Sequence, residues 1–189
     1  WQYDANNAEA LNAGQVVQDY FNYTITDSNG GFDHAVVRID IVGVNDDPVG
    51  VADTGSVNED KQLTVSAGSG VLANDTDADA GASLQVTAVQ GQSIKVGEDV
   101  EGTYGTLNLD ADGSYTYIAN LSAADGLAAG VSATDTFAYT VSDGTATSTV
   151  NLVITVTGVG PEAVADKASV NENVLLNANN ASSTGVLAN

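Results

Sequence analysis

The chain has no cysteine and no methionine, only two prolines, one histidine and four basic residues in 189 positions. Each shortage removes a class of explanation. Without cysteine there is no disulfide framework, no thiolate metal site and no cysteine nucleophile, so a long chain in an oxidising environment must be held rigid by other means. A divalent metal is the candidate. Four bases (Arg38, Lys61, Lys95, Lys167) against 25 acids leave a formal net charge of -21. Such a surface repels phosphate backbones and anionic lipid, which argues against nucleic-acid partners and membrane insertion. No stretch reads as a signal peptide, a transmembrane helix or a lipidation motif.

What is present is repetition. VADTGSVNEDKQLTVSAGSGVLAN at 51–74 returns as VADKASVNENVLLNANNASSTGVLAN at 164–189, and DYFNYTITD at 19–27 returns as DTFAYTVSD at 135–143. WQYDAN at 1–6 likewise matches YTYIAN at 115–120. The offset is 113 residues between Asp53 and Asp166 and 116 between Asp27 and Asp143. A period of that length exceeds short solenoid units and matches one independently folding domain per repeat. The expected division is 1–44 as the last part of one unit, 45–160 as a complete unit and 161–189 as the opening of a third, the whole being a window on a longer array. With 43% hydrophobic residues the complete unit can bury a core of its own.

Apolar stretches alternate with period two. Val150, Leu152, Ile154 and Val156 share one face, and Ala35, Val37, Ile39 and Ile41 do the same one repeat earlier. Turn signals join such runs: DSNGG at 27–31, DADG at 110–113 and Asp143-Gly144. Further strands are expected at about 62–66, 84–90 and 94–96, and a single helical turn at most in the alanine-rich 123–129. Seven or eight short strands per unit, roughly, predict an all-β fold of tandem immunoglobulin-like, cadherin-like sandwiches. Tyr115, Tyr117, Phe137 and Tyr139 alternate along strands and are expected in the core.

The acids are not evenly spread. Asn74, Asp75, Asp77 and Asp79 place an oxygen-bearing side chain at nearly every second position of NDTDADAG. Two carboxylates about 4 Å apart repel by about 1 kcal/mol in bulk water and about 4 at an effective dielectric of 20, so the loop calls for a cation among them. Oxygen-only donors at this density suit Ca²⁺ rather than Zn²⁺. An EF-hand is excluded, because the glycine falls one place late and Val86 stands where a bidentate carboxylate would be needed. A second cluster, Asn45, Asp46 and Asp47, occupies the junction between units, with Pro48 stiffening the exit and Asp53, Glu59 and Asp60 following. Asp110 and Asp112 in DADG are turn residues before they are ligands.

Taken together, VNDDPVGVADTGSVNED, GVLANDTDADAG, GTLNLDADGSYTYIAN and DTFAYTVSDG, in this order, resemble the VCBS and related cadherin-like tandem repeats of large bacterial RTX-type surface adhesins. The likeness covers the whole chain. It implies an extracellular β-sandwich that spaces a distal binding region from the cell surface and commonly uses Ca²⁺. Carried over residue by residue, it implies Ca²⁺ shared between Asn45, Asp46 and Asp47 of the linker and Asp75, Asp77 and Asp79 of the following unit, with Asp135 or Asp143 completing the shell. Glu59 would serve the junction at the far end of its own unit. There the pattern departs: VGPEAVAD at 159–166 keeps only Glu162 and Asp166, which implies weaker binding at the second junction.

The expected function is therefore a calcium-stiffened structural extender of a secreted surface adhesin or extracellular filament. Its partners would be neighbouring repeats of the same chain, copies of itself in a filament, and surface glycans or proteins met through other regions. An enzyme is not expected. The one histidine, His34, is replaced by Thr149 in the repeat, so no Ser/His/Asp arrangement has a base in each unit, and the paired acids sit in turns and junctions rather than a cleft. The alternatives are a carbohydrate- or protein-binding sandwich module, or a self-assembling filament subunit built on Thr- and Val-rich edge strands.

Overall fold

Period-two alternation at 147–157 becomes one of two central eleven-residue strands of a two-sheet sandwich in the computed structural model, which describes residues 2–5 and 8–160. A hairpin comes first, β1 (Val16–Thr26) and β2 (Phe32–Val42). Then follow β3 (Asp53–Asn58), β4 (Gln62–Val65), β5 (Gln85–Val89), β6 (Asp99–Glu101), β7 (Thr106–Leu109), β8 (Tyr115–Ile118), the one-turn helix α1 (Ser122–Asp125), β9 (Ser132–Ser142) and β10 (Thr147–Thr157). One sheet has the order β3-β10-β9-β5 and the other β4-β8-β7-β6. All pairs are antiparallel except β3 with β10, which run parallel with Asp53 opposite Leu152.

The alternation decides which side chains meet between the sheets. Phe137, Tyr139 and Val141 of β9 and Leu152, Ile154 and Val156 of β10 are buried against Leu107, Leu109, Tyr115 and Tyr117. Each such side chain contributes roughly 1.5–3 kcal/mol on burial. Tyr117 and Phe137 meet edge to face, with ring centroids 6.1 Å apart. The four aromatics expected in the core are there, and the all-β sandwich is the fold observed.

Two local expectations change. The strand expected at 94–96 is a single 3-10 turn, Ser93–Lys95. Gln90 and Gly91 take φ of 49° and 71° on one side and Gly97 takes 75° on the other, so no extended run can form between them. The short strand β6 was not foreseen; Val100 is its one buried residue, too little alternation to read.

The repeat is visible as geometry as well as letters. Tyr3 donates to Asp19 at 3.1 Å, as Tyr117 does to Asp135 at 2.6 Å. Tyr3 also meets Phe21 edge to face at 5.7 Å, as Tyr117 meets Phe137. Both copies end on a glycine pressed against the preceding loop: a Cβ on Gly43 would stand 2.4 Å from the Leu11 and Asn12 carbonyl oxygens, and one on Gly158 2.6 Å from those of Leu127 and Ala128. Of the second sheet, residues 2–44 hold a counterpart of β8 alone, at residues 2–4, so Phe21 and Tyr23 are exposed where Phe137 and Tyr139 are buried. The expected third unit, with Glu162 and Asp166, lies outside the described residues.

Candidate metal centre at the junction end

The linker that follows Val44 is laid against the NDTDAD loop. Val49 and Thr76 exchange backbone hydrogen bonds of 2.8 and 3.1 Å, forming an isolated antiparallel bridge. That bridge brings the peptide N–H groups of the linker to the carboxylates of the loop. Asp75 Oδ1 accepts from Val51 N–H at 2.7 Å, and Asp79 Oδ2 accepts from Asp46 N–H at 3.0 Å. Within the loop, Asp77 Oδ1 accepts from Asp79 N–H at 2.8 Å.

Each of these half-buried carboxylates thus spends one oxygen on a peptide donor. The other oxygen, Asp75 Oδ2, Asp77 Oδ2 or Asp79 Oδ1, is buried with no hydrogen-bond partner. An unsatisfied buried polar atom costs about 1–3 kcal/mol, and more when charged. Three within five residues are tolerable only with a positive charge nearby, and among the described residues no lysine or arginine pairs with them. The donor set is all oxygen, which fits a hard cation. The side chains do not form a closed cage: among the described residues no three His, Cys, Asp or Glu groups converge closely enough to hold a metal by themselves.

Around this trio stand the other acids of the same end. Asn45 donates its side-chain amide to Asp143 Oδ2 at 2.8 Å, tying the linker to the β9–β10 turn. Ala146 N–H, the Asn45 amide and Thr145 N–H hold the Asp143 carboxyl below the usual carboxylate range. Asp53 accepts from the Tyr139 hydroxyl at 2.6 Å. Burial pushes the Asp53 carboxyl up, against the hydrogen bonds from Tyr139 and Asn74. Burial also pushes Asp75 up, opposed by the Val51 N–H and reinforced by the charge of Asp53. Tyr139 is driven strongly upward by burial and by Asp53, so its hydroxyl stays a donor. Asp47 is exposed beside the buried Pro48.

Of the expected site residues, the structure gathers Asn45, Asp46, Asp53, Asp75, Asp77, Asp79 and Asp143 at one end of the sandwich, with Asp47 in the same linker. It does not bring Asp135 there. Asp135 and Asp143 lie eight residues apart along one strand, about 26 Å at roughly 3.3 Å per residue. Asp135 is 4% exposed and accepts from Thr103, Tyr104 and Gly105 N–H groups at 2.7–3.1 Å and from the Tyr117 hydroxyl at 2.6 Å. Fully occupied by four donors, it is a fold anchor, which corrects its place in the expected shell. Glu59 lies at the far end: Oε1 accepts from Val159 N–H at 2.9 Å, while Oε2 is buried without a partner. Sequence reading missed Tyr139 as the group that ties the acids to the core, because a strand aromatic signals packing and nothing more.

The model of the bacterial cadherin-like domain family matches residues 45–158. Among solved structures, mouse clustered PcdhgC3 EC1-3 is similar at 13% identity and a TM-score of 0.38, covering 77% of this chain and 55% of that one. An endo-fucoidan hydrolase from glycoside hydrolase family 107 is similar at 20% identity and a TM-score of 0.30, covering 73% of this chain and 19% of the hydrolase. No curated protein matches the chain. The family match spans more than half of the sequence and falls on the sandwich just described, and the chain belongs to the bacterial cadherin-like domain family.

Proposed function

We propose that the chain is a stretch of tandem spacer domains from a secreted bacterial surface adhesin or extracellular filament, stiffened by Ca²⁺ where one unit hands over to the next. The observation that carries this reading is the trio of orphaned carboxylate oxygens in the loop on which the linker is laid. Asp75, Asp77 and Asp79 would hold the ion, with Asn45, Asp46, Asp53 and Asp143 in the surrounding shell. Bound there, Ca²⁺ supplies positive charge to oxygens that have no other partner. The work of the chain's own residues is to fasten the linker: Val49 by its bridge to Thr76, Val51 and Asp46 by their N–H groups, Asn45 by its amide.

Extracellular modules hold Ca²⁺ with dissociation constants of about 10⁻⁴–10⁻³ M, so millimolar ion outside the cell fills such sites and the scarce cytosolic ion does not. The chain would pass through secretion loose and become stiff outside. It is read as a structural module and not an enzyme, and its nearest partners are the neighbouring units. Small-angle scattering of the chain in millimolar Ca²⁺ and in chelator tests the reading. A narrower distribution of dimensions with Ca²⁺ supports it; superimposable curves refute it.

A further inference from the structure

The hairpin β1–β2 has two faces, and the outer one has no place in a plain spacer. Counting 116 residues forward from β1 and 115 from β2, Tyr20 corresponds to Thr136, Phe32 to Thr147 and Val36 to Asn151. In the complete unit that face is turned to solvent and covered with short hydroxyl, amide and methyl groups, so no element of the fold packs on it. In the first hairpin the same face carries Tyr20 at 57% exposure, Phe32 at 69% and Val36 at 58%. The core cannot account for them, because core positions such as Phe21 and Tyr23 alternate onto the opposite face. Singly such groups are ordinary, but two aromatic rings and a valine on one face, where the complete unit has two threonines and an asparagine, make a strip that a ligand can use.

The polar groups are interleaved with the rings. Tyr20 lies opposite Arg38 and Gln18 opposite Asp40, while Arg38 and Asp40 pair at 3.0 Å. The Phe32 ring meets His34 edge to face at 5.5 Å, and His34 Nδ1 stands 2.8 Å from Thr24 Oγ1. Two strands of eleven residues span about 37 Å by 10 Å, or about 370 Å². A stable protein complex needs about 800 Å² from each partner, so this strip is too small for a second copy or a folded protein. Its shape suits a linear ligand. Arg38 is already neutralised and the chain carries -21, so a polyanion is repelled. We propose that the outer face of β1–β2 binds an uncharged polysaccharide, with the C–H faces of the sugar rings on Tyr20 and Phe32 and the hydroxyls on the interleaved side chains.

The test is isothermal titration of the full chain with cellohexaose, chitohexaose and mannohexaose, and with an alginate hexasaccharide as anionic counter-probe, in Ca²⁺ and in chelator. At least one neutral oligosaccharide should bind, one per chain, under both conditions. Tyr20→Ala and Phe32→Ala should each weaken it at least tenfold with an unchanged melting temperature, and Thr136→Ala should leave it unaltered. No binding of any neutral probe, variants that bind as well as the parent, or preference for alginate would overturn the proposal. So would a concentration-dependent dimer that Tyr20→Ala abolishes, which would assign the face to a second copy. Because binding is read with and without Ca²⁺, its failure and the failure of the spacer reading are separate results.

Discussion

A carboxylate whose two oxygens have unequal fates is the recurring unit of the junction end. One oxygen of Asp75, Asp77 or Asp79 fixes a peptide N–H, and the other is left buried and unpartnered. Asp77→Asn removes one charge from the trio and relieves repulsion worth about 1–4 kcal/mol per close pair. It should hold or raise the melting temperature in chelator and remove most of the rise produced by Ca²⁺; a variant melting lower in chelator would speak against the electrostatic reading. Acid provides a second check. Asp53 and Asp75 titrate above the ordinary 3.8 when folded, so the folded state binds more protons there. In chelator their contribution to stability should therefore increase as pH falls toward their raised values. Asp143 titrates below 3.8, so its contribution is present above that value and is lost as pH falls through its lower folded one. Melting in chelator should thus improve on mild acidification before failing at lower pH, and the Ca²⁺-dependent rise should shrink over the same mild range. Asp135 is the contrasting case. Asp135→Ala strands three backbone donors and a tyrosine hydroxyl, and urea unfolding should register a loss of at least about 3 kcal/mol. Tyr117→Phe, which deletes one of those bonds, should cost about 1.5–3 kcal/mol.

At the scale of elements, legibility followed length and position. The hairpins β1–β2 and β9–β10 were readable because eleven-residue strands alternate long enough to be seen and Asp27 to Gly31 and Asp143-Gly144 mark their turns. β6 was not, because three residues with one apolar side chain carry no period, and the strand expected at 94–96 gives way to a 3-10 turn because the positive φ of Gln90 leaves no mark in the sequence. The Asp75, Asp77 and Asp79 trio was readable from its alternation alone. The difference between Asp143 and Asp135 was not, since one follows β9 and the other lies within it, and only the Asn45 hydrogen bond to Asp143 shows which end of β9 lies beside the linker. Close backbone approach is equally silent in sequence. Gly105 at the start of the β7–β8 pair has Ile118 O 2.3 Å and Tyr117 Cζ 2.5 Å from where a Cβ would stand. Gly105→Ala should therefore destabilise the unit by about 1–3 kcal/mol in thermal unfolding, and an unchanged transition would contradict that packing.

For the whole molecule, the two ends of the sandwich are chemically unequal. Among the described residues, the junction end has three orphaned oxygens, in the loop on which the linker is laid, and the far end has one, on Glu59. With -21 distributed over 189 residues, self-repulsion loosens the array wherever it is not neutralised, and the junction carries Asp46 and Asp47 in the linker and Asp75, Asp77 and Asp79 in the loop it meets. A single ion in about 10 mM Ca²⁺, roughly a hundredfold excess over a dissociation constant of about 10⁻⁴ M, adds about 2.7 kcal/mol to the folded state. For a unit of this size that is a rise of about 10 °C, at an unfolding entropy of about 2.1 cal/mol/K per residue. The most direct measurement is thermal unfolding of the chain in about 10 mM Ca²⁺, roughly a hundredfold above that dissociation constant, and in chelator at neutral pH. A rise of about 10 °C with Ca²⁺ is the predicted result, and coincident transitions in the two buffers would show that the buried carboxylate oxygens of Asp75, Asp77 and Asp79 do not wait for a cation.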